Sequence, residues 1–446
     1  MPTGLRKGFF YSCVSTAGVF LSFASLQAQE VLCEGAGEVI QSIEFNGLET
    51  TRRRVVDRQL SIQVGELLDC QSLHNSTQAI TDLGLFKKVH AKSQLDDKSV
   101  HVTFDVIEKR YLIVLPYVAS SESGSINYGL RGRWSNIGGL NQRASLNLRT
   151  KTFSTDLKDE ETKATISFSS PQIRNTDFDA RFDFGYIDLS TREIGSLPDS
   201  TPFNEVSRYS SLGISRWFHR GQRQHGWQLG GVLKWRSWTS DNPTLRGSVD
   251  AEQSLLGLGL SVKYDRIHDH TYSYSGFGMD YRVEPTIALD GERNPTTQEA
   301  SGIWHIPYGA REHSQFEIKS GLGWSNGAYP DFVPFENSLS AQLRGISYPD
   351  FEGDRYYYLK ASYLTPYTFA PFKRTRLAAY PSLRAEFFAE VDDIYFKNGQ
   401  RGLKGTAWSV GTGVRWRLPW FVGVQVGAGI AYHSEEDGIG FYISGR

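Results

Sequence analysis

Apolar and polar residues alternate along most of the chain from Tyr111 to its C-terminal end. In residues 177–187, for example, aromatic and small apolar residues take every second position, and aspartate or arginine fills most positions between them. A period of two places successive side chains on opposite faces of a β-strand. Strands can cross a bilayer only in a closed barrel, because lipid leaves unpaired backbone groups without hydrogen bonds. The alternation therefore predicts a mainly β protein in which each strand has one apolar and one polar face.

Sixteen segments show this alternation. They lie near 111–121, 125–135, 140–151, 161–170, 176–189, 205–218, 224–239, 252–265, 272–285, 298–308, 314–325, 354–365, 376–391, 406–418, 421–433 and 438–446. The connections after even-numbered segments are mostly short, and those after odd-numbered segments are mostly longer. Outer-membrane barrels have this asymmetry between periplasmic turns and outer loops. We therefore predict a sixteen-stranded transmembrane antiparallel β-barrel over residues 110–446.

The N-terminal residues have the composition of a secretory signal peptide. Arg6 and Lys7 precede a largely apolar stretch at 9–26, and Ala28 is a plausible cleavage end. We assign residues 1–28 to the signal and 29–37 to a leading segment. Beyond this leader the sequence has no apolar run of about 18 residues, the length expected of a transmembrane helix. The formal net charge of −1 argues against a nucleic-acid partner.

Residues 38–109 change periodicity in the order β-α-α-β-β. Thr50 and Thr51 can cap the first helix, and Gly84 is placed to end the second. An I-x-F-x-G pattern at 43–47 and an L-G-L-F-x-x-V pattern at 83–89 resemble those of a POTRA domain. The alternative is a generic small α+β domain. The resemblance implies a periplasmic docking module with a strand edge that accepts a client strand by β-augmentation.

Two cysteines, Cys33 and Cys70, remain after the leader, which contains Cys13. Export places them in an oxidising compartment, where a pair of thiols can form a disulfide. A Cys33–Cys70 bridge would connect the leading segment to the first domain. Two free thiols are the alternative outcome.

The longest predicted loop, between the eleventh and twelfth strands, contains Leu343-Arg344-Gly345-Ile346. Five predicted strands follow it. Together with the POTRA-like domain and the strand count, this motif resembles the BamA/TamA superfamily of outer-membrane proteins, in which the corresponding loop folds into the lumen. An arginine suits that position, because its guanidinium presents a rigid fork of donors to a carboxylate. Arg-Gly pairs are also common in turns, and others such as Arg131-Gly132 occur here, so an ordinary turn is the alternative interpretation of Arg344-Gly345.

The resemblance also implies a partner for Arg344. In the superfamily the thirteenth strand carries an F-x-D pattern, and Phe388-Ala389-Glu390 matches it with glutamate in place of aspartate. Glu390 is therefore the first choice of partner, and Asp392 is the second. Ile346 stands where the superfamily usually has an aromatic residue. The last strand also lacks a terminal aromatic residue.

The sequence has no pattern typical of a nucleophilic, phosphate-binding or metalloprotease site, so we expect neither an enzyme nor a cofactor. Asp265, His268, Asp269 and His270 form the one crowded group of possible metal ligands. They fall in a predicted short periplasmic turn, where charged residues are ordinarily solvated. We therefore expect them to be exposed to solvent and predict no metal site.

Three classes of function remain. An insertase would use the seam between the first and last strands. In the first strand, Pro116 has no backbone N–H to donate to a neighbouring strand. The last strand is short and contains Gly440 and Tyr442. A secretion pore would serve one dedicated partner, as in two-partner secretion. A passive porin is the third class, and the POTRA-like domain and the Arg344 loop argue against it. The first two imply an outer-membrane protein with unfolded outer-membrane or secreted polypeptide clients, the lipid bilayer and periplasmic accessory proteins as partners.

Overall fold

The computed structural model describes most of the chain after the leader. It covers residues 32–120, 126–152, 160–190, 204–219, 225–240, 251–289, 294–326, 335–336, 343–344, 352–367, 381–395, 406–434 and 438–445. The predicted signal peptide lies outside these residues, as do Gly345 and Ile346 of the loop motif. Among the described residues, no helix is both long and apolar enough to cross a membrane.

The N-terminal domain contains three strands and two helices. They are β1 (Val39–Asn46), α1 (Arg53–Asp57), α2 (Cys70–Asp82), β2 (Phe86–Asp96) and β3 (Ser99–Glu108). The sheet order is β1-β3-β2, with β1 parallel and β2 antiparallel to β3. Asp69 caps α2 by accepting hydrogen bonds from the backbone N–H groups of Gln71 and Ser72. The β-α-α-β-β order is the one that the periodicity predicts.

Apolar side chains from every element of this domain form one buried core. Its fully enclosed members include Ile40, Val55, Leu73, Ile80, Leu85, Val102 and Phe104. The barrel contributes Val422 to the same cluster. The core of the domain is therefore continuous with the underside of the barrel.

Cys33 and Cys70 are joined by a disulfide in the structure. The bridge fastens the leading segment to the first residue of α2, which is the connection considered from the sequence. Alkylation of the denatured, unreduced protein tests the bond chemically, because a disulfide leaves neither thiol open to the reagent.

The remaining strands form one sheet and a short separate hairpin. They are β4 (Leu112–Ser120), β5 (Ile126–Ile137), β6 (Gln142–Thr152), β7 (Glu160–Ser170), β8 (Phe178–Ser190), β9 (Asn204–Phe218), β10 (Gly226–Ser240), β11 (Ala251–Asp269), β12 (Tyr274–Ala288), β13 (Thr296–Pro307), β14 (Gln315–Asn326), β15 (Phe335–Glu336), β16 (Glu352–Gly353), β17 (Arg355–Pro366), β18 (Leu383–Tyr395), β19 (Ala407–Arg417), β20 (Gln425–His433) and β21 (Ile439–Gly445). Within the described part of the chain, strands β15 and β16 pair only with each other.

The other sixteen strands form a single antiparallel sheet in which each strand pairs with its neighbours along the chain. This sheet confirms the predicted sixteen-stranded barrel. Phe178, Phe182 and Phe184 are exposed on its outer face, while Asp179 and Asp183 between them make polar contacts on the other face. The apolar residues of the alternating pattern therefore face lipid, and the polar residues face the lumen.

The eighth barrel strand, β11, extends beyond its predicted end. We predict a strand near 252–265 followed by a turn, but the ladder with β12 continues through His268↔Ser275 and Asp269↔Tyr274. The N–H of Asp269 donates to the Asp82 carboxylate of the N-terminal domain at 2.7 Å. This contact comes from a residue 187 positions away, so the local pattern contains no sign of it.

Candidate functional site

The first and last barrel strands, β4 and β21, lie at the two ends of the described sheet order. Each has a ladder on one side only, β4 with β5 and β21 with β20. Pro116 lies in the middle of β4 opposite Leu130, and Gly440 lies near the start of β21 opposite Ala431. We call the junction between these two strands the seam. A strand edge carries backbone groups that an incoming strand can pair with.

Alternate residues of β21 face different surroundings. Phe441 and Ile443 are 82% and 74% exposed on the lipid side, whereas Tyr442 is 8% exposed on the lumen side. The Tyr442 ring packs edge-to-face against Phe388 of β18, with 5.5 Å between the ring centroids. The last strand therefore has one anchoring side chain within the barrel and an apolar surface outside it.

Arg344 lies in the lumen beside this pair of rings. Its Nε donates to Glu390 Oε1 at 2.8 Å, and its Nη1 lies 2.5 Å from Glu386 Oε1. Its backbone N–H also donates to Glu390 Oε2 at 3.0 Å, so Glu390 holds both the main chain and the side chain of the loop. The guanidinium lies 3.7 Å from the Phe388 ring centroid and 5.5 Å from that of Tyr442. One loop residue thus contacts β18 and the last strand of the seam.

The structure brings Arg344 to the first-choice partner, Glu390, rather than to Asp392. Asp392 lies two residues further along the same face of β18, and no direct contact between it and Arg344 is seen among the described residues. The hydroxyl of Ser362 in β17 accepts a further hydrogen bond from Arg344 Nη2, at 3.0 Å. Leu343 is buried against Ala407 at the start of β19. The choice of Asp392 as an alternative partner is therefore not supported by the geometry.

Sequence reasoning overlooked Glu386. It lies four residues before Glu390 and shares its face of β18, so a period of two starting from Glu390 would have identified it. Glu386 also pairs with Arg415 of β19, and Arg415 reaches Glu317 of β14 at 3.0 Å. The buried arginines and carboxylates continue from the loop across the inner wall, and we call residues Arg344, Glu386, Glu390, Arg415 and Glu317 the lumen ion network.

The N-terminal domain docks on the short turns of the barrel. The backbone N–H of Arg52 donates to the Gly139 carbonyl at 3.0 Å, and Arg52 Nε donates to the Gly138 carbonyl at 2.9 Å. Asn136 donates to the Thr51 hydroxyl at 2.9 Å in the same place. The residue before α1 is thus hydrogen-bonded to the turn between β5 and β6. These contacts fix the domain directly below the first barrel strands.

A methyl group at Gly139 should disrupt this docking. Gly138 and Gly139 both have positive φ values, +59° and +72°, so alanine at either costs about 1–2 kcal/mol in backbone strain. Only at Gly139 would the new Cβ collide with the Thr50 carbonyl, because nothing lies near the Cβ position at Gly138. We expect hydrogen–deuterium exchange at residues 50–53 to become about tenfold faster or more in Gly139→Ala. Gly138→Ala is the matched control, and equal exchange in both variants would contradict the docking argument.

The linker after the domain pairs with the turn between β19 and β20. The backbone N–H of Arg110 donates to the Trp420 carbonyl at 2.6 Å, and the N–H of Val422 donates back to the Arg110 carbonyl at 3.3 Å. Lys109 is buried next to this linker, where its ammonium donates to the Gly84 carbonyl at 2.9 Å. Burial lowers the pKa of Lys109 to about 8. The chain is therefore fixed to the base of the barrel before the first strand begins.

The prediction that the possible metal ligands at 265–270 are solvated is wrong for Asp269 and His268. Asp269 is buried and lies 2.6 Å from Arg417 of β19, and His268 Nδ1 lies 3.1 Å from Asp82 Oδ2 of helix α2. The reason is that the N-terminal domain and β19 cover these residues, and neither element is near them in sequence.

These features define an outer-membrane type of barrel with a docked N-terminal domain, a seam without a ladder among the described residues, and Arg344 in the lumen. Residues 38–109 match the POTRA family model, described as a surface antigen variable number repeat. The chain is similar in structure to BamA from Haemophilus ducreyi lacking POTRA domains 1–3, with a TM-score of 0.51, 13% identity, and coverage of 92% of this chain and 84% of that one.

Two further solved structures are similar. CdiB from Acinetobacter baumannii matches with a TM-score of 0.60 and 12% identity, covering 91% of this chain and 73% of that one. CdiB from Escherichia coli matches with a TM-score of 0.60 and 12% identity, covering 91% of this chain and 76% of that one. Comparison with curated protein sequences gives no match. The chain therefore combines a POTRA domain with a barrel of the fold found in BamA and CdiB, which confirms the fold that the resemblance predicts.

Proposed function

We propose that the protein handles polypeptide clients at the outer membrane and inserts or translocates them through the seam between β4 and β21. The observation that carries this proposal is that the described sheet order ends at these two strands instead of joining them. Each strand edge can template an incoming client strand by backbone hydrogen bonding. The barrel would lie in the outer membrane, with the POTRA domain in the periplasm.

The POTRA domain supplies a second strand edge below the seam. Strand β2 lies at the edge of the sheet order β1-β3-β2, and a single bridge between Leu32 and Lys92 joins the leading segment to it. An incoming client segment, or a periplasmic accessory protein, would add to this edge by β-augmentation. The docking of the domain on the barrel turns would hold this edge at a fixed distance from the seam.

The lumen ion network argues for a polypeptide handler over a passive porin. Glu386, Glu390 and Glu317 are buried among arginines, whereas residues that line a water-filled pore are solvated. Arg344 contacts both β18 and the ring of Tyr442, so the loop would hold the last strand in place until a client displaces it. The proposal requires no reacting group or cofactor, and accordingly we assign no enzymatic activity.

Reconstitution into liposomes tests this function. We expect urea-unfolded outer-membrane barrel proteins to reach their folded, heat-modifiable form about tenfold faster than in protein-free liposomes, because a templated strand edge lowers the barrier to pairing. Sugar-driven swelling of the same liposomes should stay far below that of liposomes with a sixteen-stranded porin, which serve as the control. Porin-like swelling without any effect on client folding would contradict the proposal.

A further inference from the structure

Three potential metal ligands from separate parts of the chain meet between the POTRA domain and the barrel. Asp82 ends helix α2, His225 precedes β10, and His268 lies near the end of β11. Asp82 Oδ2 lies 3.1 Å from His268 Nδ1 and 3.6 Å from His225 Nε2. One ligand atom from each residue lies within 4.8 Å of the other two. We call these three residues the interface triad.

The two oxygens of Asp82 have different surroundings. Oδ1 accepts from the backbone N–H of Asp269 at 2.7 Å and from Gln78 Nε2 at 2.8 Å. These bonds orient the carboxylate and leave Oδ2 directed at the two imidazoles. The Asp82 and His225 side chains are only 7% and 11% exposed. The Asp82 carboxylate is therefore held in position by hydrogen bonds to Oδ1, the oxygen that does not face the centre of the triad.

We propose that the interface triad binds a divalent transition metal ion of the zinc class and thereby fixes helix α2 to the base of the barrel. Imidazole and carboxylate are ordinary ligands of Zn²⁺, which they approach at about 2.0–2.1 Å. Ligand atoms on one tetrahedral ion then lie about 3.3 Å apart, close to the two distances that Asp82 Oδ2 makes with the imidazoles. His225 Nε2 also lies 3.1 Å from the Ile267 carbonyl, and coordination replaces that contact.

Metal binding at this place couples to domain docking. One ligand belongs to the POTRA domain and two belong to the barrel, so only the docked protein presents all three. A ligand that binds one conformation shifts the population toward it. The ion would thus hold the POTRA domain in the docked position. This inference goes beyond the proposed handling of clients, and its test does not depend on a client.

Zinc binding by the full, tag-free protein, refolded in detergent and stripped with a chelator, tests the proposal. We expect one Zn²⁺ per chain with micromolar or tighter affinity, measured by competition with a zinc-binding dye. Asp82→Asn keeps an acceptor for the Asp269 N–H but loses the charged ligand, and it should weaken zinc binding about tenfold or more. His225→Gln and His268→Gln should do the same. Co²⁺ should show the absorption of a nitrogen- and oxygen-coordinated ion in the unaltered protein and lose it in the three triad variants.

His74→Gln is the matched control, because His74 lies on the same helix as Asp82 but outside the triad. Gly139→Ala provides a second check, since it leaves every ligand in place and should still weaken zinc binding by undocking the domain. The proposal is overturned if less than one zinc binds per chain, or if the triad variants bind zinc as tightly as His74→Gln does. The interface triad would then be a metal-free hydrogen-bonded contact.

Discussion

Arg344→Ala should release the loop from the lumen and strongly impair client handling while the barrel still forms. The substitution leaves Glu390 without the side-chain donors of Arg344, whereas Glu386 keeps Arg415. Removing one partner from a buried ion pair costs about 3–5 kcal/mol. That range corresponds to a factor of about 100 or more between attached and detached loops. Because the ladders between the barrel strands do not involve Arg344, we expect barrel assembly to survive.

Labelling of a cysteine at Leu343 by a membrane-impermeant maleimide measures the release. The Leu343 side chain is buried, so labelling should be slow with Arg344 present and much faster in Arg344→Ala. Arg344→Lys should give an intermediate rate, because lysine keeps the charge but not the fork of donors. Arg181→Ala is the matched control, since Arg181 pairs with Asp183 in the lumen but is 67% exposed, and such pairs contribute about 0–1 kcal/mol. Fast labelling with Arg344 in place would place the loop outside the lumen and contradict the assignment.

A second substitution, Glu390→Gln, separates two effects of Arg344: positioning of the loop and neutralisation of the Glu390 charge. In Arg344→Ala/Glu390→Gln the unpaired buried carboxylate is gone, so the barrel should regain the stability lost in Arg344→Ala. The loop should nevertheless stay detached, because no guanidinium binds the inner wall or packs on Phe388. Restored stability without restored activity would indicate that Arg344 acts by positioning the loop. Restored activity would mean that its role is only to neutralise Glu390.

The barrel could be predicted from sequence because its signal is local. Alternation with a period of two extends along each strand, and the turns interrupt it at regular places. The bounds of most strands agree with expectation to within a few residues. The Arg344–Glu390 contact could also be predicted, because the family resemblance identifies both the loop that contains Arg344 and the strand that contains Glu390. Strand alternation alone would not have paired two residues 46 positions apart.

The rest of the site depends on contacts between distant segments, which no local pattern encodes. Asp269 was expected to be solvated because it follows an apparently complete strand. Its burial requires Arg417, 148 residues later, and Asp82, 187 residues earlier. Glu386 was overlooked for a different reason, namely that the motif of the family covers only three residues of β18. The docking of a small domain on a barrel therefore has to be seen in three dimensions.

Locking the seam with a disulfide should abolish insertion, and reduction should restore it. Cysteines at Val114 in β4 and at Phe441 or Ile443 in β21 are suitable, because all three side chains face lipid and are outside the lumen ion network. Two positions are needed in β21, since a disulfide requires Cα atoms about 4.4–6.8 Å apart and the described parts of β4 and β21 form no ladder that would set their register. The variant that crosslinks is used in the liposome assay. The native Cys33–Cys70 bridge is reduced in the same step, so the unlocked protein undergoes the same oxidation and reduction.

A second crosslink, between cysteines at Leu112 and Trp134, is the matched control for the seam lock. These residues are ladder partners on β4 and β5, and both are exposed on the lipid side. If clients are templated at open strand edges, only the seam crosslink should stop insertion, because the β4–β5 ladder never has to separate. Loss of activity with both crosslinks would reflect a general need for barrel flexibility. If the seam-locked protein still handles its client at the normal rate, lateral opening fails as the mechanism. Transport through the lumen, as in a secretion pore for a dedicated partner, then becomes the better account of the same architecture.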